Sequence, residues 1–221
     1  MQIVFFILAM VLILKTFANP LISLYQRKKI SSHVSAAQHQ IELFRPLVFI
    51  KLFANSLTVV FFPQYLLKLT LHSGMPASFA SVIYVIYQLF FVLMLIPGGY
   101  FGEVKSIKKI LLVTTFIEAF IFMGFVFSTN IWEILVLQAL FGCVIPISSS
   151  ADYAYILNFT SHKDRSFGFA LYSNSLKGSV IAGIVIGGIM VGYLGPSHVF
   201  LVASGLVFTA LSIYSSSFLM S

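Results

Sequence analysis

The sequence predicts an all-α, polytopic membrane protein, and three observations carry that prediction. Of 221 residues, 59% are hydrophobic and only 9% are charged, whereas a water-facing domain carries roughly 25% charged residues. The apolar residues form long continuous runs, and about 20 such residues cross a hydrocarbon core of ~30 Å at ~1.5 Å per residue. The basic residues gather at the ends of these runs, on alternate connections. Continuous runs favour helices over barrel strands, which alternate in character over segments of about ten residues.

Seven runs are long enough to span, near 2–24, 46–68, 78–100, 109–128, 131–156, 167–193 and 197–218. The first is followed by its basic residues, Arg27, Lys28 and Lys29, and none precedes it except Lys15 within the run. A secretory signal has the reverse order, so this segment is expected to be an uncleaved anchor, with Lys15 snorkelling to the head groups. Residues 1–45 therefore read as an anchor with a basic linker, and 46–221 as a six-helix bundle. Basic residues mark the cytoplasmic side. Arg45, Lys105, Lys108, Lys109, Lys163 and Arg165 then place Met1 outside and Ser221 in the cytoplasm of a cell membrane.

The formal charge of +7 is spread over helix ends, which suits orientation in a bilayer and not a nucleic-acid stripe. The single cysteine, Cys143, excludes an intrachain disulfide and a cysteine-cluster metal site. All five histidines fall in or beside loops without metal spacing, and no phosphate-binding glycine loop with its lysine is present. No metal, cofactor or enzymatic activity is expected.

Charge at membrane depth costs about 2.5 kcal/mol or more, so each such residue needs a partner or a wet cavity. Glu118 lies about 13 Å into its run and Lys177 about 15 Å into its own, depths that would allow the two to pair. Asn55, Gln88, Gln138 and Asn174 also fall near mid-depth. Such amides either hydrogen-bond a polar solute or join helices to one another. Lys51 and Asp152 are placed nearer the cytoplasmic face and Glu133 nearer the outside, where snorkelling or salt-bridge anchoring is expected. Ser148, Ser149 and Ser150 follow Pro146, where hydroxyls can satisfy the carbonyls that a proline frees. Small residues at Gly178, Ala182, Gly183, Gly187 and Gly188 have the spacing that lets two helices approach closely.

One short connection concentrates charge: Gly99-Tyr-Phe-Gly-Glu-Val-Lys-Ser-Ile-Lys-Lys109. Topology accounts for Lys105, Lys108 and Lys109 but not for Glu103, because acidic residues contribute little to orientation. This loop resembles the signature loop between the second and third helices of the major facilitator superfamily. The glycine-rich run 178–188, the polar Asp164-Arg165-Ser-Phe-Gly168 and the Phe62-Pro63-Gln-Tyr65 segment are similar to the fifth helix, its lead-in and the end of the first helix in that family. The resemblance implies that Gly99 is a close-packing point and that Glu103 with Lys105, Lys108 and Lys109 forms a latch on the cytoplasmic gate. Val104 and Ser106 depart from the family pattern.

The resemblance covers residues 44–218 and corresponds to the amino-terminal half of a full transporter, preceded by an extra helix. Full members bind substrate between two such halves. The expected partners are the bilayer, a small-molecule solute, and a second six-helix half or another copy in a homodimer. A truncated product, a piece of a sensor fusion and a non-transporting sensor or scaffold are the competing expectations. Gln138 occupies the position where many proton-coupled antiporters of the family carry arginine, which argues against proton/drug exchange.

Overall fold

Hydrocarbon cannot hydrogen-bond a bare backbone, so the apolar runs fold with all their backbone bonds internal. The computed structural model describes residues 35–72, 74–76, 78–102, 107–159 and 165–219, with most side chains from Val48 onward. These residues form six helices: α1 Ser35–His72, α2 Ser78–Gly102, α3 Ile107–Phe127, α4 Ile131–Phe159, α5 Arg165–Leu194 and α6 Pro196–Leu219. All six are long and apolar enough to cross a membrane, and no strand occurs among the described residues. The protein is an all-α integral membrane protein. The predicted anchor 2–24, together with Arg27, Lys28, Lys29, Glu103, Lys105 and Lys163, lies outside the described residues.

The six predicted runs of 46–221 each contain one helix, but α1 departs from expectation at both ends. It begins at Ser35, not near 46, and continues through Pro63 to His72. A proline removes one backbone donor, a loss that neighbouring helices and local adjustment make tolerable in a membrane helix. Pro97 and Pro146 likewise stand inside α2 and α4.

The turns are explicit in the sequence. Gly74 and Gly195 adopt φ of 69° and 86°, the left-handed region that glycine enters without a Cβ penalty. Gly195 N–H donates to the Val191 carbonyl at 3.1 Å and ends α5. At the start of α4, Asn130 Oδ1 accepts from Trp132 N–H at 3.1 Å. Glu133 Oε2 accepts from Thr129 N–H at 3.1 Å and Asn130 N–H at 3.4 Å. Glu133 is thus a helix-capping residue, not a snorkelling one.

α1 is the centre of the bundle. In its most apolar window 61% of residues are buried, against 11% in α2, whose outer face is available to lipid. α2 meets α4 backbone to backbone: a Cβ on Gly98 would come within 3.1 Å of Pro146 C, and one on Gly142 within 2.5 Å of the Tyr87 carbonyl oxygen. α5 crosses α1 in the same manner at Gly183, where a Cβ would stand 2.9 Å from Ser56 Cβ and 3.2 Å from Leu57 N. α3 receives a hydrogen bond from α6, Ser204 Oγ to the Ala119 carbonyl at 3.2 Å. Near the Tyr65 end of α1, the rings of Phe62, Tyr65, Phe125 and Phe200 pack with centroids 4.9–6.2 Å apart.

Candidate functional site

Three helices each carry polar residues on one face, three or four positions apart: Lys51 and Asn55 on α1, Thr115 and Glu118 on α3, Ser148 and Asp152 on α4. That spacing stacks side chains on one side of a helix. Packing α1 against α3 and α4 turns these faces toward a common interior. Lys51 Nζ donates to Asp152 Oδ2 at 2.7 Å and to Ser148 Oγ, and lies 3.8 Å from Glu118 Oε1. The side chains of Lys51, Asp152 and Glu118 are 1%, 1% and 0% exposed. The Asn55 amide and the Ser148 hydroxyl border the Glu118 carboxyl. Tyr87 of α2 and Tyr172 of α5 lie within electrostatic reach of the carboxylates.

The cluster is incompletely satisfied. Oδ1 of Asp152, Oδ1 of Asn55 and Oγ1 of Thr115 are buried without a hydrogen-bond partner, and the Glu118 carboxyl meets its two donors, the Ser148 hydroxyl and the Asn55 amide, only at the margin of hydrogen-bond geometry. A buried acceptor left unpaired costs about 1–3 kcal/mol, and more when charged. One ammonium among two carboxylates also leaves a formal charge of −1. Protonation of one carboxyl would remove that surplus.

Residues 46–219 match the profile of the Major Facilitator Superfamily. The chain belongs to the major facilitator superfamily. It is also 29% identical over 118 residues to YqjV, an MFS-type transporter of Bacillus subtilis (strain 168). That match covers 53% of this chain and 28% of the relative, so this chain is compared with only part of that longer protein.

Within this major-facilitator bundle the predicted pathway residues separate into two sets. Asn55 and Glu118 join the buried cluster. Gln138 is 3% exposed, with Oε1 unpaired, and opens on a small aromatic cleft walled by Phe62, Tyr84, Tyr87, Phe125 and Phe141. Gln88, Asn174 and Lys177 are exposed on α2 and α5, and Gln88 donates to the Tyr84 hydroxyl at 2.9 Å. Glu118 therefore has Lys51 as its cation, and Lys177, which depth alone would have paired with it, stands elsewhere.

Of the loop motif, Gly99, Lys108 and Lys109 are described. Gly99 is exposed with open space around it, and the close approach is made by Gly98, one residue earlier. In the small-residue run, Gly183 and Gly187 are buried against Ser56, Leu57 and Phe61 of α1. A Cβ on Gly178 or Gly188 would meet only Phe49 or Phe61 at an ordinary 3.8 Å, and Ala182 is half-buried.

Sequence reasoning set Lys51 and Asp152 near the cytoplasmic face and expected snorkelling or salt-bridge anchoring; the two do form a salt bridge, at 2.7 Å, and at 1% exposure neither side chain snorkels. What sequence reasoning missed is that this bridge joins Glu118 and Ser148 in one buried cluster. The signal that could have found it is the shared spacing, Lys51 with Asn55 and Ser148 with Asp152, two polar stripes in helices otherwise apolar. Counting depth from the end of an apolar run obscured it, because α1 begins eleven residues before the run does.

Proposed function

We propose that this chain supplies a six-helix bundle of a secondary transporter, which moves a small solute across the cell membrane by rocking against a second bundle. The second bundle is another half or another copy of the chain. In this reading residues 1–45 are an anchor and basic linker, residues 46–221 are the transport bundle, and the amino terminus is outside with the carboxyl terminus in the cytoplasm. Glu103, Lys105, Lys108 and Lys109 latch the cytoplasmic gate. The exposed amides Gln88 and Asn174, with Lys177, line the surface offered to the solute and the partner bundle.

The observation that supports this best is the buried Lys51, Asp152 and Glu118 cluster across three helices. Ionisable groups at membrane depth mark ion and substrate pathways by default. A bundle that only anchored or signalled would be more stable with an apolar core of the same volume, since a buried pair seldom repays its desolvation. Family membership points the same way.

The test is flux. The purified chain is reconstituted in proteoliposomes and exposed on solid-supported membranes to a panel of sugars, amino acids and organic cations. At least one solute is expected to evoke a current that Glu118→Gln reduces at least tenfold while the protein inserts normally. Absence of current from every solute, with the chain alone and with a co-expressed second bundle, would leave the sensor or scaffold reading in its place.

A further inference from the structure

We infer that the solute is a small organic monoanion, and that Lys177 on α5, with Asn174 one turn before it, binds its carboxylate. The inference rests on the transport reading for the place of these residues on the solute's path, and deepens it by naming the solute's class.

Depth separates Lys177 from an anchoring lysine. The apolar span of α5 runs from Gly168 to Leu194, and Lys177 stands about 14 Å into it at ~1.5 Å per residue. A stem of four methylenes covers only part of that distance, so snorkelling alone does not carry the ammonium to the head groups. Ala170, Asn174, Lys177, Ile181 and Ile184 are all exposed and follow one another at intervals of three or four residues, which places them on one stripe. Gly183 and Gly187, which press against α1, lie on the other side of the helix. The exposed stripe changes character along its length, small or polar from Ala170 to Lys177 and apolar from Ile181 onward. Lipid would suit the apolar part alone, because an ammonium at membrane depth needs a counter-charge or a wet cavity.

Charge sets the class. The chain has six acidic residues, and each is placed away from this stripe. Glu118 and Asp152 are buried with Lys51, the cation that acts on both. Glu133 caps the start of α4. Glu42, Glu103 and Asp164 stand outside the apolar runs. Among the described residues no ion pair or side-chain hydrogen bond engages the Lys177 ammonium. A second copy of the chain brings the same six acids and so offers no better partner. The counter-charge therefore comes with the ligand. A monoanion neutralises one ammonium, whereas a dianion leaves a negative charge at membrane depth and a neutral sugar leaves the ammonium unpaired. A zwitterionic amino acid would bring a second cation with no acid to meet it. Lysine acts here as a point charge, and the Asn174 amide can donate to a carboxylate oxygen beside it. The head group of an anionic lipid carries the same single charge, but the depth of Lys177 sets it out of reach.

The full-length chain in nanodiscs of phosphatidylcholine tests this by thermal unfolding at constant pH and ionic strength with benzoate, lactate or butyrate, each compared with its uncharged amide. At least one carboxylate is expected to raise the midpoint along a saturating curve, because a ligand of the native state stabilises it by mass action, while its amide leaves the midpoint unmoved. Lys177→Gln, a change at an exposed position, is expected to abolish the response and Lys177→Arg to keep it. Asn174→Ala is expected to raise the half-saturating concentration about tenfold, the weight of one hydrogen bond to a charged group. A midpoint indifferent to every carboxylate overturns the inference, as does a response that Lys177→Gln leaves unchanged. Stabilisation by phosphatidylglycerol in the disc that is lost in Lys177→Gln, with no effect of the carboxylates, assigns the lysine to a lipid head group and overturns it too. Currents on solid-supported membranes, with the carboxylates added to the solute panel, keep the two readings apart. Carboxylate binding without any current would keep the site and remove transport, whereas currents evoked by sugars or cations and unchanged in Lys177→Gln would do the reverse.

Discussion

Two segments of α1, one about its middle and one near its carboxyl end, are built on opposite principles. Around Lys51 the bundle buries three charges and leaves acceptors on three helices unpaired. Around Tyr65, about 21 Å along the same helix, it packs four aromatic rings, and the one phenol among them donates to the Phe125 carbonyl at 2.9 Å. Lipid tails are as apolar as the core, so helices in a membrane gain little from apolar burial and associate by close packing and hydrogen bonds. The Tyr65 end follows that rule and needs nothing more. The Lys51 end breaks it, and a region that keeps a cost through folding is where function is expected.

The sharpest way to break the comparison is at its charged pole. Lys51→Met keeps most of the side-chain volume and strands two buried carboxylates, a loss of about 3–5 kcal/mol. The triple variant Lys51→Met, Glu118→Gln, Asp152→Asn removes the charges together and is expected to regain most of that stability while remaining inactive. Reversible unfolding in mixed micelles measures both. If the single and triple variants are equally unstable, the charges are not what makes this end costly.

At the aromatic pole, Phe200→Ala opens a space of roughly 100 Å³ beside Phe62, Tyr65 and Phe125. In water this change would cost about 3–5 kcal/mol, but the transfer part vanishes when the unfolded reference is itself in hydrocarbon. The cavity part alone, at about 24 cal/mol per Å³, leaves about 2 kcal/mol. Solute flux is expected to stay within twofold of wild type. A loss beyond that would mean the two segments are coupled through α1.

These two regions also differ in how far the sequence discloses them. Six helices are legible because length and apolarity are local properties, and the turns are legible because breaks such as Thr129-Asn130 and Gly195-Pro196 act within a few residues, although the capping role of Glu133 is not read from them. The aromatic end is partly legible, since Phe62, Pro63 and Tyr65 stand in one short motif. The charged cluster is not legible as a unit, because Lys51 meets Ser148 and Asp152 across 97 and 101 residues of chain. Depth could suggest that Glu118 needs a cation, but only the packing of α3 on α1 decides which one. Glycines show the same limit: the run 178–188 announces a close contact, yet its periodicity does not reveal which members face α1.

Two glycines convert that last point into a measurement. At Gly183 a Cβ meets Ser56 Cβ at 2.9 Å and the Leu57 backbone nitrogen at 3.2 Å, and backbone cannot step aside as a flexible side chain can. Overpacking of about 1–3 kcal/mol less a helix-propensity gain of about 1 kcal/mol gives a net loss near 1 kcal/mol for Gly183→Ala. Gly99→Ala meets open space and keeps only the propensity gain. Equal midpoints for the two would contradict the α1 to α5 crossing described above.

The smallest effect is expected at the best-satisfied atom. Removing the Tyr65 hydroxyl in Tyr65→Phe takes one donor from the Phe125 carbonyl, but Ser128 Oγ still donates to it at 3.2 Å. Hydrogen bonds between membrane helices average about 0.6 kcal/mol in double-mutant cycles, and no acceptor is orphaned here, so the loss should not exceed that figure. In the Tyr65→Phe, Ser128→Ala double variant the carbonyl loses both side-chain donors, and the combined cost is expected to exceed the sum of the single ones. That non-additivity, read as a coupling between adjacent sites, would identify redundancy as the reason the aromatic end tolerates change. Around Lys51 one ammonium serves two buried carboxylates, which is why a single substitution there is expected to cost several times more.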